Sequence, residues 1–382
     1  MSIVASTVGC PHAGIGECVP LEAITLRSER SPSAAQVRHL WTVAGARGLL
    51  GSGAAAGPSD RERSLAVIWE LGRLALLDLP YWMQSDVLAQ LLRRFGSERQ
   101  RELLEPMATG QLIMATALTE PAGGTDLFAL TSSAMLDGDC YVLRADKRFV
   151  TNASIADVLL VSAQLNDGAR GLFMVDRATP GVDVEPTPLG DGLQFLATGR
   201  VVCRDARIPI DALLGGSAVA PFQLASMLGI ERVCLGVMCT SAAAASLERL
   251  TCWMAEPQGD RAPLLDAEAV QHELALLSAR LDAVDALANQ LASQYVDRGT
   301  VAVDRAASLK LEAAQILRRV VEFAERLSGA RALLDRPDGT RLTLAAQRRA
   351  AIAQALAGGT PHALLEVIAA GLRLRSSHVH AV

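Results

Sequence analysis

The sequence predicts an α+β protein in three parts: an N-terminal helical domain over 1–114, a central antiparallel, β-barrel-like domain over 115–221, and a C-terminal four-helix bundle over 222–382. Three observations predict it. Apolar residues recur at three- and four-residue intervals on both sides of a middle segment. The middle segment instead consists of short β-branched or alternating runs cut by DGD, NDG and PG turns. Helices and strands are segregated rather than alternating, which argues against a doubly wound nucleotide fold.

The first helices are SAAQVRHLWTVAGARGLL, DRERSLAVIWELGRLALLDLP and QSDVLAQLLRRFGSERQRELLEPMATG, all between about 30 and 114. The glycine-rich AGARGLLGSGAAAG lies between two of them and reads as a loop, because no GxGxxG or GxxxxGK[ST] pattern follows a strand. Strand-like runs follow in MATALTEP, SSAMLDGDCYVLRADKRFVTNA, ADVLLVSAQL, ARGLFMVDRA and GRVVCRDARIP. Helical periodicity returns over 223–254, 265–297, 300–328 and 342–357. After the last of these, ALAGGTPHALLE (355–366) must break the helix at Gly358–Gly359. A glycine-capped helix connection explains that break. So does a close backbone approach to an anion or cofactor beside the Thr360 hydroxyl.

Composition narrows the function. A chain of 382 residues that is 50% hydrophobic can bury a large core. A formal charge of −5 with acids and bases interspersed argues against nucleic acid as a partner. The longest apolar stretch, 224–245, carries Glu231 and Arg232 near its middle, which argues against a membrane span. The first twenty residues lack the basic flank and uninterrupted apolar run of a secretory signal, so a cytoplasmic protein is expected. Seven cysteines, at 10, 18, 140, 203, 234, 239 and 252, fit reduced thiols. Cys10, His12 and Cys18 lack a fourth ligand at familiar spacing, so no metal site is expected.

Two motifs carry chemistry. TALTEPAGGTD (116–126) begins as a strand and turns through Pro121, Gly123 and Gly124, leaving Thr119, Thr125 and free N–H groups at the turn. About 25 residues on, KRFVTNASIAD (147–157) offers Phe149 and Thr151, which lie on one face if the strand continues through them. Together two such segments can hold a heteroaromatic ring. Either alone reads as an ordinary turn or edge strand.

In this order and spacing the motifs resemble the acyl-CoA dehydrogenase family. The likeness extends from LGRLALLDLP through FGSERQRELLEPMATGQLIMATALTEPAGGTD, DGDCYVLRADKRFVTNASIADVLLV, PGVDVEPTPLG and VVCRDARIPIDALLGG to AGGTPHALLEVIA, or about 65–382. It implies the family fold and FAD bound between the β domain and the C-terminal helices. By the same likeness, Thr116, Leu118 and Thr119 face the flavin's pyrimidine side, Gly124 and Thr125 lie at the pyrophosphate, and Phe149 and Thr151 flank the ring. The Thr151 hydroxyl then bonds flavin N5, and Thr360 with its neighbouring amides touches FAD.

Dehydrogenation of an acyl thioester needs a partly desolvated carboxylate opposite the ring. Many family members carry it just before the Gly-Thr of the C-terminal turn. Here that position is Gly358, which has no side chain. Another subgroup places the glutamate on the first C-terminal helix before an arginine, and GIERVCLG matches it with Glu231 and Arg232. The plainer reading of Glu231 is an ion pair with a neighbouring arginine. Glu366 lies two helical turns past the loop.

Two departures touch the cross-subunit FAD contacts that the likeness implies. The usual arginine with Phe-Gly is replaced by WMAEPQGDRAPLLDAEAVQ, leaving Arg261 as a stand-in. The glutamine of the family's QxxGG corresponds to Glu325, whose charge needs Arg326 or Arg331 beside a pyrophosphate. The leading expectation is a dehydrogenase for an acyl group on CoA or an acyl carrier protein. It would convert the group to an enoyl thioester, with unusual regiochemistry in a biosynthetic pathway as one form. An electron-transfer flavoprotein is the expected acceptor, and a homodimer or homotetramer the assembly. A flavin oxidase of the same fold and a non-catalytic flavin-binding homologue are the alternatives.

Overall fold

The computed structural model describes residues 32–51, 57–121, 130–216, 219–257, 262–334 and 343–379. Helix α1 (Ala34–Ala46) starts at Ser33, whose hydroxyl accepts from the Gln36 N–H while the Gln36 side chain accepts from the Ser33 N–H. This reciprocal cap satisfies two amides that the helix cannot. Its buried face holds Val37, Leu40, Trp41 and Ala44, and Trp41 meets Tyr81 edge-on at 5.1 Å. Helix α2 (Pro58–Arg73) opens on proline, where the missing N–H costs nothing.

A π-helical turn, Met83–Leu88, then leads into α3 (Ala89–Phe95), α4 (Glu98–Arg101) and α5 (Leu104–Ala108). That turn carries two buried polar side chains. Gln84 donates to the Leu112 carbonyl and accepts from the Met114 N–H, fixing the chain where it enters the first strand. Asp86 accepts from Ser64, Ser85 and Tyr295 and so ties α2 to the bundle.

Among the described residues, seven strands form one sheet: β1 (Met114–Ala117), β2 (Ser133–Asp137), β3 (Cys140–Val150), β4 (Val158–Gln164), β5 (Arg170–Asp176), β6 (Val182–Pro186) and β7 (Gly199–Pro209). The order is β1-β4-β2-β3-β7-β6, with β5 also paired to β4. The sheet is mixed rather than purely antiparallel, because β1 runs parallel to β4, with Met114 opposite Val158. The β2–β3 hairpin lies between them in sequence, so the chain comes back to β1 in the same direction. Strand β6 alternates half-buried Val182 and Val184 with exposed Asp183 and Glu185, and as a short edge strand it has no fully buried residue.

The C-terminal helices are α6 (Ala220–Ala255), α7 (Glu268–Arg298), α8 (Val303–Ser328), α9 (Leu344–Leu356) and α10 (Pro361–Val379). The most apolar window of α6 is 72% buried inside the protein, which accounts for its apolar character as that of a core helix. A second apolar stretch, 344–375, is interrupted by the turn at Gly358–Gly359. A Cβ added at Gly236 would sit 2.5 Å from Leu309 Cγ, so α6 and α8 pack in direct contact there. One hydrophobic core runs through the N-terminal helices and the bundle, and the sheet has its own.

Candidate active site

The two sequence motifs of the β domain lie side by side. The Thr119 carbonyl accepts from the Arg148 N–H at 2.8 Å, and the Leu118 carbonyl accepts from Lys147 Nζ at 3.2 Å. Between them Glu120 and Lys147 form an ion pair of 2.7 Å with side chains 1% and 0% exposed. Glu120 also accepts from the Thr131 hydroxyl and from the backbone N–H groups of Thr131 and Ser132, and Lys147 donates to the Ser162 hydroxyl. Burial pushes the Glu120 carboxyl up, but these donors outweigh it and bring it down to about 2. A saturated buried pair of this kind fixes geometry, and here it welds TALTEP to KRFVTN.

Beyond Lys147 the strand departs from alternation. The β3–β7 register shifts between Lys147 and Val150, Phe149 has φ of 52°, and β3 ends at Val150. Phe149 and Thr151 therefore do not share a strand face as the spacing predicts; Thr151 opens a turn in which Asn152 is also left-handed, at φ 65°. A left-handed phenylalanine is costly and persists only where its surroundings dictate it. Phe149 is 68% exposed.

Polar side chains of the two motifs and the following turn lack partners. Thr151 and the half-buried Thr116 make no side-chain hydrogen bond among the described residues, and Asn152, 1% exposed, has neither amide atom bonded. Buried polar atoms without partners are rare, so this corner fits a bound group that has both a flat face and hydrogen-bonding edges. Gly124, Thr125 and Arg261 lie outside the described residues.

A second cluster forms where α6 meets the Gly358–Gly359 turn. Both glycines have positive φ, 66° and 118°, which accounts for the break at this point in the sequence. The turn is held by cations: Arg232 Nε donates to the Gly358 carbonyl at 2.9 Å, and Lys310 Nζ donates to the Ala355 and Gly359 carbonyls at 2.7 and 2.8 Å. Thr360 then caps α10, its hydroxyl accepting from the Ala363 N–H at 3.4 Å.

Against this turn lies Glu231. Its carboxyl carbon is 3.7 Å from where a Cβ on residue 358 would stand, so the helix-borne carboxylate occupies the space next to the side-chainless loop position. Glu231 is 9% exposed and makes no hydrogen bond or ion pair among the described residues, in contrast to the arginine pairing that is the plainer sequence reading. Burial pushes its carboxyl up to about 7 against the pull of Arg232 and Lys310. Glu366 instead faces His362 at the surface, 3.3 Å away.

One loop links the two clusters. The Leu196 carbonyl accepts from the Asn152 N–H, and the Asp191 carbonyl accepts from Arg349 on α9, the helix that ends at the glycine turn. Glu325, 19% exposed, pairs with Arg348 at 3.2 Å, while Arg326 turns to Glu273, so the compensating arginine is not the sequence neighbour. The i to i+3 neighbourhood of a helix cannot reveal such a partner on another helix. Sequence reasoning also passed over Glu120, Lys147 and Lys310. For the last two the available signal is a lysine at a core position of an otherwise apolar periodicity.

Sequence profiles of the family match most of this architecture: the acyl-CoA dehydrogenase middle domain over residues 115–206, and the acyl-CoA dehydrogenase C-terminal domain over 223–373. The chain belongs to the acyl-CoA dehydrogenase family. Among relatives, the mitochondrial long-chain specific acyl-CoA dehydrogenase of Sus scrofa is 29% identical over 271 residues, or 68% of this chain. The match spans 63% of that relative's length. Among solved structures, an acyl-CoA dehydrogenase complexed with FAD from Bacillus anthracis superposes with a TM-score of 0.84 at 21% identity, covering 100% of this chain and 67% of that one. The prolyl acyl carrier protein oxidase AnaB gives 0.78 at 20% identity, covering 94% and 99%. At these identities the structures share the fold with this acyl-CoA dehydrogenase family member.

Proposed function

We propose that this family member is an FAD-dependent dehydrogenase of acyl thioesters in which Glu231 removes the substrate proton. The observation that carries the reading is a buried carboxylate with no hydrogen-bonding partner among the described residues, standing beside the one loop position where the family likeness calls for a base and the chain has glycine. A carboxyl raised to about 7 is matched to proton abstraction near neutral pH, and its lone pairs are open to a C–H proton. Bound FAD would supply the acceptor for the hydride lost from the neighbouring carbon. Phe149 would lie against the ring, the Thr116, Leu118 and Thr119 segment would follow its polar edge, and Thr151 and Asn152 have side-chain groups that make no hydrogen bond among the described residues.

The thioester is on CoA or on an acyl carrier protein; the sequence likeness to the pig acyl-CoA dehydrogenase supports the first carrier, and the fold shared with AnaB the second. An electron-transfer flavoprotein is the proposed acceptor. Exposed Ile352, Leu356, Leu365, Leu372 and Leu374 on α9 and α10 support self-association as a homodimer or homotetramer. Free cysteines at 140, 203, 234, 239 and 252 support a reducing compartment, the cytoplasm. The test is anaerobic mixing of the FAD-loaded protein with acyl-CoA and acyl carrier substrates. Bleaching of the flavin by one class supports the proposal, and a protein that takes up no FAD or bleaches with neither class removes it. Oxygen uptake without an added acceptor would move the reading to an oxidase.

A further inference from the structure

Three charged side chains meet at the glycine turn, and the two cations do not touch the anion. Arg232 and Lys310 are 4% and 1% exposed, yet neither lies within ion-pair distance of Glu231. Each is turned to main-chain carbonyls instead: Gly358 for Arg232, and Ala355 and Gly359 for Lys310. These are the last carbonyls of α9 and of the turn, which lack helical partners and would otherwise be buried unsatisfied. A buried ammonium normally seeks a carboxylate, because burial is costly for both ions.

Resting on the reading of Glu231 as base, we propose that Lys310 is a positioning residue that stabilises the ionised base by its charge while the turn carbonyls hold it off the carboxylate oxygens. A direct ion pair would lower the proton affinity of Glu231 and occupy the lone pairs that must receive the substrate proton. A charge held nearby but bonded elsewhere keeps the carboxylate ionisable and leaves its oxygens open. The same lysine clamps the backbone of the turn against Glu231, so charge and geometry come from one side chain. Gly236, against Leu309, brings α8 close enough for this.

The groups facing this centre are few. From α6 they are Arg232 and the buried thiols Cys234 and Cys239, and from α8 Lys310. Residues 357–360 bring no titratable side chain, and His362 and Glu366 at the start of α10 pair with each other at the surface. Burial lowers Lys310 to about 8, with Cys239 and Glu231 opposing, so the lysine is charged through the neutral range.

The experiment is the pH profile of anaerobic flavin reduction for wild type, Lys310→Met, Lys310→Gln and Glu231→Gln at matched FAD occupancy, with amide hydrogen exchange followed over the turn. Lys310→Met should move the profile's midpoint upward by about one unit, lowering the rate near pH 7 by about fivefold and recovering it at higher pH. Lys310→Gln, which keeps a donor for the carbonyls, should restore slow exchange at residues 356–360 without restoring the midpoint. A uniform loss of rate with an unmoved midpoint would overturn the proposal and leave Lys310 a structural clamp. If Glu231→Gln reduces flavin at the wild-type rate, the base assignment itself fails, which is a separate result. Should neither lysine variant fold, the infrared difference between wild type and Glu231→Gln at about pH 7.5, between the two groups' midpoints of about 7 and about 8, decides. A carboxylate free of hydrogen bonds supports the arrangement, and one bonded to an ammonium refutes it.

Discussion

Glu231→Gln tests the candidate base without any substrate. The amide keeps the size of the carboxyl but never ionises, so the stability difference between the two proteins isolates the cost of charging residue 231. In the fold burial raises the Glu231 carboxyl from 4.5 to about 7. Below 4.5 both folded and unfolded chains hold the proton, and no difference arises. Above it the unfolded chain releases its proton first, so the folded state loses stability as pH rises, until the folded carboxyl ionises as well near 7. A separation of about 2.5 units corresponds to about 3 kcal/mol once both states are ionised. Between pH 5.5 and 8 the variant should therefore gain about 2 kcal/mol on wild type, with the larger gap at pH 8. Urea denaturation of both proteins at the two pH values, at equal FAD saturation, measures this. A gap that does not change with pH means that Glu231 is solvated or neutralised, and the argument for a poised base collapses. Alongside, flavin reduction by substrate should fall at least about 100-fold in the variant.

The ion pair that joins the two β-domain motifs should be equally exposed to test: Lys147→Met leaves Glu120 buried and charged and should cost about 3 kcal/mol by urea denaturation, with FAD affinity reduced in step. Gly358→Ala forces a Cβ to 2.9 Å from Leu235 Cδ1 at φ 66° and should cost about 1–2 kcal/mol in the same assay; Gly358→Glu in the Glu231→Gln background carries that strain too, so any recovered reduction should be slight. Thr151→Val removes a hydroxyl that makes no hydrogen bond among the described residues and should leave stability within about 0.5 kcal/mol while perturbing the flavin absorption spectrum; an unchanged spectrum would separate Thr151 from the ring.

The sequence alone determined the class and order of elements. Periodicity is a local property, and the 3.6-residue pattern around Leu309, Leu317 and Val320 or the alternation along β3 from Cys140 to Lys147 needs no tertiary context to be read. The helix break at Gly358–Gly359 was equally legible, since two glycines in an alanine- and leucine-rich run have few other uses. Glu231 stood out as a carboxylate in a stretch otherwise fit for burial.

What the tertiary structure decided was every relation between distant residues. Phe149 and Thr151 leave the strand face because β3 shifts register against β7, and register is set by the partner strand. Glu325 takes Arg348 from another helix rather than its sequence neighbour. Lys147 and Lys310 read as ordinary charges until the fold buries them among carbonyls and carboxylates. Whether Glu231 is half of an ion pair or an open base depends on where Arg232 points. The glycine turn, 126 residues away in sequence, draws that arginine to its own carbonyl. A side chain's protonation and partners follow from desolvation and from charges across space, neither of which is encoded within a few residues of its own position.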